Sequence, residues 1–374
     1  MRTEPAQLAL EAILQKPTLG IPTFWLNLME HAFIERVAGA EPGAYTREPE
    51  ETYIACQRAA GVSLLDQYIP ENPLTMGASG FEGARPTATT GAEEVVVDGI
   101  LVDSPEAVVE HLERVEFPRL RTQMAAFDEE SRVREIIDGE ARLQGKLGPS
   151  ILKGGYAFVH FPHLPYTTYG YRNYFIAYEL YPEVMEEHFS LTADLALLNN
   201  RAAARAYGEG HLPPWCRLDH DMADGRGTLV RMESLERRWF PHFDRCLEPL
   251  RRAGVRMVWH CDGNLMGMVP GLLAAGISGF QGFQYEHGMD YERLCARKTT
   301  AGDDLLIVAG VSVTRTLPWG TPADVRRELA WLVEKGPKRG LFLGCSSSVT
   351  PGVPWPNIQA LLDGLAYYRT SRRL

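Results

Sequence analysis

The sequence contains no closely spaced pair of cysteines. Its six cysteines are scattered over 374 residues, at Cys56, Cys216, Cys246, Cys261, Cys295 and Cys345. Without a CxxC motif, neither a disulfide framework nor a structural zinc ribbon can be assigned. Widely spaced free thiols are typical of a reducing compartment, so we expect a cytoplasmic protein.

Long apolar runs and an excess of positive charge are also absent. No stretch approaches the roughly 20 apolar residues that cross a bilayer, and the N-terminal segment MRTEPAQLALEAILQ resembles an acidic amphipathic helix more than a signal peptide. Acidic residues outnumber basic residues by 48 to 38, for a net charge of −10. Because such a surface does not neutralise phosphates, we expect a small-molecule substrate and neither a nucleic-acid nor a membrane partner.

No glycine-rich phosphate fingerprint follows the early strand candidates, which argues against a doubly wound sheet. The sequence has eight buried strand candidates, at residues 21–26, 61–66, 151–160, 214–221, 255–262, 277–283, 305–311 and 340–345. Most precede a segment of helical periodicity, such as 183–207, or 322–335 with Thr321 as N-cap and Pro322 in the first turn. This alternation predicts an α/β fold, the (β/α)8 TIM barrel. We expect one domain over 1–374, with an N-terminal helical extension and a hairpin or lid inserted at about 77–102.

Side chains that bind metals follow two of these strands. His260 and Asp262 end one strand candidate, and Cys345 ends the last one. Successive side chains alternate between the faces of a strand, so His260 and Asp262 face one way and Cys261 the other. Imidazole, carboxylate and thiolate together suit a zinc ion that keeps one position open for substrate. The alternative, a core histidine and a buried thiol, is common for these residue types.

Other acidic residues follow the neighbouring strand ends. Asp219 and Asp221 end the 214–221 candidate, and Glu286 follows the sixth strand candidate. Each is a candidate general base or further metal ligand, and Glu286 could also orient His260 from outside the metal shell. An acidic residue at a helix N-terminus is an equally good interpretation of Glu286.

The segment 158–171 is rich in aromatic residues and histidine and lies just beyond a strand. Pockets are commonly lined by such side chains, which makes His160 and Tyr166 candidate substrate contacts. A packed loop that covers the barrel is the alternative, and the sequence leaves both interpretations open.

Four segments of the C-terminal half occur in the order known from one enzyme superfamily. They are Asp219-His220-Asp221-Met222-Ala223, His260-Cys261-Asp262-Gly263-Asn264, Gly320-Thr321-Pro322-Ala323-Asp324-Val325, and Gly344-Cys345 followed by Pro351, Pro354 and Asn357. Together they resemble the uroporphyrinogen decarboxylase superfamily, specifically its branch of zinc-dependent, cobalamin-linked methyltransferases. The resemblance implies a (β/α)8 barrel, and the N-terminal half matches only in outline.

The resemblance also implies a set of metal ligands. In the methyltransferase branch, a His, a Cys two residues later and a distant Cys hold zinc, and the matching positions here are His260, Asp262 and Cys345. Asp262 thus stands in place of a cysteine. A carboxylate makes the site harder and the ion more Lewis acidic, which favours polarising a substrate oxygen over activating a thiol. The motif match further implies a substrate-binding role for Asn264.

Decarboxylation of uroporphyrinogen itself is not expected. True decarboxylases hold the carboxylates of their substrate with an arginine-rich segment after the first strand, whereas residues 22–30 contain no arginine. Asp66 falls roughly where those enzymes place a pyrrole-binding aspartate. We therefore expect Asp66 to be a substrate-pocket carboxylate without arginine partners.

The resemblance predicts a metal-dependent methyltransferase or demethylase that moves a methyl group between a small methylated or methoxylated compound and a corrinoid. We expect the corrinoid on a separate protein, because the chain has no Asp-x-His-x-x-Gly motif. One alternative is a metal-assisted decarboxylase or lyase of a small acidic or aromatic substrate. Another is a non-catalytic protein that binds a tetrapyrrole or corrinoid. The oligomeric state is open between a monomer and a homodimer.

Overall fold

A parallel sheet of six strands lies at the centre of the protein. The computed structural model describes residues 4–71, 76–77, 80–81 and 95–371. Along the chain the strands are β1 (Leu64–Leu65), β2 (Met76–Gly77), β3 (Gly80–Phe81), β4 (Val96–Val97), β5 (Ile100–Leu101), β6 (Leu152–Lys153), β7 (Gly155–Tyr156), β8 (Trp215–Asp219), β9 (Ala223–Asp224), β10 (Gly227–Thr228), β11 (Arg256–His260), β12 (Ile277–Gln281), β13 (Leu306–Val311) and β14 (Leu341–Cys345).

Helices separate the strands of the six-stranded sheet from one another. They are α1 (Glu4–Ile13), α2 (His31–Ala38), α3 (Ala44–Arg47), α4 (Pro49–Ala59), α5 (Pro105–His111), α6 (Phe117–Ala125), α7 (Glu129–Leu147), α8 (Tyr166–Tyr169), α9 (Tyr171–Leu180), α10 (Pro182–Glu209), α11 (Met232–Arg238), α12 (Phe240–Arg252), α13 (Val269–Ala274), α14 (Tyr291–Cys295), α15 (Thr316–Trp319), α16 (Pro322–Lys335) and α17 (Trp355–Thr370). A π-helical turn, Leu112–Glu116, joins α5 to α6, and a 3-10 turn, Tyr285–His287, follows β12.

The six-stranded sheet has the order β14-β13-β12-β11-β8-β7, and all neighbouring pairs are parallel. Parallel neighbours need a crossover connection, and the five connections between successive strands contain α10, α12, α13, α14 and α16 in turn. All six residues of β13 are buried, as expected for a strand covered on both faces. The predicted α/β class is therefore confirmed.

Shorter pairings extend this sheet at both ends. β6 and β7 are separated only by Gly154, and β6 pairs in parallel with β1 while β7 pairs with β8. On the other side, isolated parallel bridges join Thr23 to Leu343 and Phe24 to Leu64. The predicted strands at 21–26 and 61–66 thus pair with their neighbours over fewer residues than predicted.

The core is divided into an inner and an outer cluster. Seven strand segments each contribute to the inner cluster, with Phe24, Leu64, Leu152, Trp215, Val258, Leu306, Val308 and Phe342. Helix α1 packs on the same cluster through Ala6, Ala9, Ala12 and Ile13. The predicted N-terminal helix is therefore confirmed, and its small apolar face covers one end of the strands. The larger outer cluster lies between the strands and the helices.

Local sequence signals account for the helix boundaries near the C-terminus. Thr321 and Asp324 form a reciprocal capping box at the start of α16, and Pro322 occupies the first turn. The predicted N-cap is confirmed. This cap fixes where the chain leaves the loop after β13 and begins the helix that packs against β13 and α17.

The predicted insertion at about 77–102 is described only in part. β2 pairs with β3 and β4 pairs with β5, each antiparallel, so the segment contains hairpins. Residues 78–79 and 82–94 lie outside the described residues. Among the helices that the structure describes, none combines the length and the apolar character that a bilayer crossing requires.

Candidate metal centre

Asp221, His260 and Asp262 come together beyond the carboxyl ends of β8 and β11. One ligand atom from each lies within 4.8 Å of the other two. Asp221 is exposed, whereas His260 and Asp262 are half-buried. Two carboxylates and an imidazole at this spacing can coordinate a single divalent ion and leave a position open for substrate.

The register of two neighbouring strands creates this arrangement. β8 and β11 pair so that Asp219 lies opposite His260, and the His220 amide donates to the His260 carbonyl at 3.3 Å. The chain then turns, and the Asp262 amide donates to Asp221 Oδ1 at 2.8 Å. Pairing of the two strands therefore brings the acidic segment after β8 against the segment after β11.

Gly263 permits the turn that follows Asp262. Its φ of +86° lies in the left-handed region, and a Cβ placed on it would lie 2.7 Å from the Asp224 carbonyl oxygen. The Gly263 amide also donates to the Gln284 side-chain oxygen at 2.8 Å. A side chain at this position would displace the backbone that holds Asp262.

Asp262 has the environment of a cation ligand. Burial raises the pKa of its carboxyl group, His260 opposes this shift, and the nearby Asp221 and Asp219 raise the pKa further. Its Oδ1 is buried without a hydrogen-bond partner, as is Nδ1 of His260. A buried carboxylate oxygen without a donor is costly, and a bound cation would satisfy it. The residues present therefore fit a metal ion.

Cys345 does not join this group of donor atoms. It follows Leu341 and Leu343 on the face of β14 that packs into the outer cluster, whereas Phe342 packs into the inner one. Burial raises the pKa of the Cys345 thiol to about 12. Cys345 borders the same cavity as His260, so the ligand set with Cys345 stays a prediction.

The cavity at the mouth of the strands has a volume of about 220 Å³. We call it the mouth cavity. Its lining includes Trp25, Asn27, Gln281, Ser347 and Ser348, in addition to His260. The side-chain oxygen of Gln281 is buried without a partner, so another polar group lacks a partner at the edge of this cavity.

A buried arginine organises the acidic residues beside the candidate metal centre. Arg217 Nε donates to Asp66 Oδ2 at 2.9 Å, and Arg217 Nη1 donates to Asp219 Oδ2 at 3.0 Å. The Tyr156 hydroxyl donates to the same Asp219 oxygen at 3.0 Å, and the guanidinium lies 4.6 Å from the centre of the Tyr156 ring. Both donors bind Oδ2, and Asp219 Oδ1 lies 3.9 Å from His260 Nε2.

The expectation that Asp66 lacks an arginine partner is wrong. Residues 22–30 contain no arginine, but the partner comes from β8, 151 residues further along the chain from Asp66. Arg217 is two residues before Asp219 and so shares its strand face, which is the signal that could have revealed it. The Asp66 side chain is 0% exposed, and it also accepts a hydrogen bond from the Trp215 indole at 3.3 Å. Asp66 therefore orients Arg217 and does not reach the mouth cavity. Sequence reasoning also missed Tyr156.

Two other predicted residues lie apart from the three donor atoms. Glu286 accepts hydrogen bonds from the Ser312 hydroxyl at 3.0 Å and from the Thr314 hydroxyl, which ties it to the end of β13. Asn264 caps a turn, because its side-chain oxygen accepts from the Met266 amide at 3.2 Å. Both predicted roles remain predictions without support from these contacts.

The aromatic segment 158–171 divides into packed and accessible parts. Tyr166 is buried, and its hydroxyl donates to the Asp221 carbonyl at 2.7 Å. The Leu164 amide donates to His220 Nε2 at 2.9 Å, which fastens the segment to the loop that carries Asp221. His160, in contrast, is exposed. Tyr166 therefore supports the loop that carries Asp221, and His160 is free to contact a ligand.

Comparison with known proteins does not identify the chain. No protein-family model matches the sequence, and no curated protein matches it. Membership of a family is therefore a proposal that depends on the sequence motifs.

Proposed function

We propose that this protein is a metal-dependent enzyme that activates an oxygen atom of a small substrate. The grouping of Asp221, His260 and Asp262 within 4.8 Å is the observation that carries the proposal. The unpartnered Oδ1 of buried Asp262 adds to it, because a cation is the simplest partner for that atom. The ion is zinc in this proposal, although two carboxylates and an imidazole also suit manganese.

The scaffold in this proposal is a single-domain (β/α)8 barrel of the uroporphyrinogen decarboxylase superfamily. The parallel contacts support closure, because β6 and β7 join β1 to β8 while the bridges at Thr23 and Phe24 join β14 to β1. The inner cluster supports it as well, since seven strand segments contribute side chains to one interior. In a closed barrel, the ends of all the strands form one face, where catalytic residues gather.

The proposed reaction is removal of a methyl group from a small methoxylated compound, with a corrinoid on a separate protein as the acceptor. A divalent ion at Asp221, His260 and Asp262 would supply Lewis acidity to the substrate oxygen. The lack of a thiolate in this group of donors favours the demethylation of an oxygen compound over the activation of a thiol. The motifs that resemble the cobalamin-linked methyltransferases supply the acceptor class.

A second candidate is a metal-assisted decarboxylase or lyase of a small acidic or aromatic compound. The network of Arg217, Tyr156 and Asp219 favours it, because such groups bind and move protons and methyl transfer does not require them. Asp219 Oδ2 accepts two hydrogen bonds, and its Oδ1, on the side of His260, is the atom that would accept a substrate proton.

Metal analysis is the first test. Protein offered zinc or manganese under reducing conditions and then desalted should hold one ion per chain, and Asp221→Asn, His260→Ala and Asp262→Asn should lose it. Asp224→Asn is the matched control, because Asp224 lies close by in sequence and is engaged with exposed Arg226. Loss of the ion in Cys345→Ser but not in Asp221→Asn would replace the proposed ligand set by His260, Asp262 and Cys345.

Reaction assays then separate the candidates. The metal-loaded protein is mixed with cob(I)alamin and methoxylated compounds, and the visible spectrum of methylcobalamin is followed. Methyl transfer that disappears in Asp262→Asn supports demethylation. Release of carbon dioxide or of an elimination product without a corrinoid supports the second candidate. Failure to bind any metal would reject both candidates and leave a metal-free lyase or a non-catalytic binding protein.

A further inference from the structure

A second cavity, of about 380 Å³, adjoins the metal centre. It lies between the ends of β7 and β8 and the middle of α10, and we call it the side pocket. Arg217 and Asp219 border both the side pocket and the mouth cavity. The two cavities therefore share Asp219, the residue that lies opposite His260 in the strand register.

Hydrogen bonds hold the wall of the side pocket in place. The buried Asn200 side chain accepts from the His160 amide at 2.9 Å and donates to the His160 carbonyl at 2.8 Å. Its amide also donates to the Cys246 carbonyl at 2.8 Å. Ala157, at the start of this wall, has a φ of +66°, which is unfavourable for a residue with a Cβ. Strain of this kind concentrates at ligand sites, where the surrounding contacts maintain it.

The side pocket contains a polar atom that lacks a partner. The Thr192 hydroxyl, on the side of α10 that lines the pocket, is buried without a hydrogen bond. A buried hydroxyl is normally paired, so a ligand substituent that reaches Thr192 when the pocket is occupied would supply the missing partner. The hydroxyl can donate or accept, and it therefore suits an uncharged polar substituent.

The remaining lining suits a flat ring. His163 is exposed towards the pocket, and its ring stacks on the Phe161 ring with centroids 4.3 Å apart and planes 22° apart. Leu195 and Ala196 supply an apolar surface on the α10 side. Pockets of this volume that combine aromatic walls with few polar groups are typical small-molecule sites.

The side pocket and the metal centre differ in how their charges are paired. The charged residues Arg217 and Asp219, which border the side pocket, are bonded to each other at 3.0 Å. The donor atoms of the metal centre, by contrast, belong to two aspartates and a histidine. A substrate with a polar end and an uncharged ring would therefore place the polar end at the metal centre and the ring in the side pocket.

We propose that the side pocket binds the uncharged aromatic ring of the substrate, with Thr192 hydrogen bonded to a ring substituent and His163 contacting the ring. The placement of the substrate's polar end at the metal centre rests on the proposed metal function. Binding of the ring in the side pocket does not rest on it. Thr192, His163 and Leu195 are thus specificity residues and take no part in the chemical step.

Phenol is the first probe, titrated into metal-free protein in the presence of a chelator and followed by ligand-observed NMR. We expect a Kd on the order of 1 mM, as befits a ligand of this size. Thr192→Val keeps the shape and removes one hydrogen bond, so it should weaken binding about three- to tenfold. Leu195→Trp should abolish binding by filling the pocket.

Leu198→Trp is the matched control, because Leu198 is a half-buried leucine of the same helix that lines neither cavity. Circular dichroism checks that each variant is folded. Equal phenol binding by wild type, Leu195→Trp and Leu198→Trp would overturn the proposal, as would the absence of phenol binding by wild type.

A second probe separates this proposal from the metal function. 3-Phenylpropanoate carries both a ring and a carboxylate, so zinc should tighten its binding at least about tenfold, and Asp262→Asn should remove that gain. If zinc does not tighten the binding of 3-phenylpropanoate but Leu195→Trp still abolishes phenol binding, the metal function is rejected and the side pocket is kept. If zinc tightens the binding of 3-phenylpropanoate but Leu195→Trp does not change phenol binding, the side pocket is rejected and the metal function is kept.

Discussion

Replacing Arg217 by methionine should destabilise the protein more than any change at an exposed ion pair. The Arg217 side chain is 3% exposed and its partner Asp66 is 0% exposed. Arg217 also donates to the Gln67 side-chain oxygen at 2.7 Å and to Asp219. Methionine fills a similar volume but leaves the Asp66 carboxylate buried without a cation.

The magnitude follows from what Asp66 retains. In Arg217→Met, Asp66 keeps the Gln67 amide at 2.6 Å and the Trp215 indole at 3.3 Å, and neither carries a charge. Breaking a buried pair in this way costs about 3–5 kcal/mol, because one charge is left uncompensated. Removing both charges in Asp66→Asn with Arg217→Met should recover at least about 2 kcal/mol relative to the sum of the single changes.

Urea unfolding followed by far-UV circular dichroism, with a chelator present, measures these free energies. Arg256→Met is the matched control on the neighbouring strand, since Arg256 meets Asp303 at 3.3 Å in an exposed pair. Such pairs contribute about 0–1 kcal/mol. A cost below about 1 kcal/mol for Arg217→Met, or strict additivity in the double variant, would refute the assignment of Arg217 and Asp66 as a buried pair.

Three further predictions concern Asp262, Cys345 and Thr321. Because burial raises the pKa of Asp262, its ionisation disfavours the folded state as the pH rises through that pKa. Asp262→Asn should therefore raise the Tm of metal-free protein at neutral pH and leave it unchanged in acid, and a lower Tm at neutral pH would contradict this. Cys345, whose thiol pKa burial raises to about 12, should react with iodoacetamide at neutral pH only on unfolding, as mass spectrometry of wild type and Cys345→Ser would show. Thr321→Ala should cost about 1 kcal/mol in urea unfolding by removing the α16 cap, whereas Thr321→Ser should be nearly neutral.

The sequence predicts five strands of the six-stranded sheet well, because each belongs to a largely apolar segment bounded by turn residues. β8, β11, β12, β13 and β14 fall within predicted segments and differ only at their ends. The predictions are weaker for 21–26 and 61–66. In these two segments only a few residues pair with a neighbouring strand. An apolar run in the sequence does not reveal how many of its backbone groups form hydrogen bonds to another strand.

The candidate site was predictable where side-chain alternation could be read from the sequence. His260 and Asp262 are two residues apart beyond an identifiable strand, and the structure brings them together. Cys345 is different, because β14 is buried on both faces and its sequence, LFLGC, has no polar residue to mark the inner face. Arg217 was missed for a related reason, since a charged residue inside an apolar strand is informative only when its buried partner is known.

The balance of charge around the candidate metal centre and the neighbouring Arg217–Asp66 pair is the physical basis for the proposed cation. Asp66, Asp219, Asp221 and Asp262 contribute four carboxylates, and Arg217, which binds the first two, contributes one guanidinium. Leaving His260 aside, the local charge is −3 when all four are ionised, and a divalent ion would reduce it to −1. Repulsion among partly buried carboxylates disfavours the folded state, so retaining them reduces stability unless a ligand binds. The same argument predicts that Asp262→Asn is stabilising without metal and destabilising when metal is supplied, which an inert cluster of acidic residues would not show.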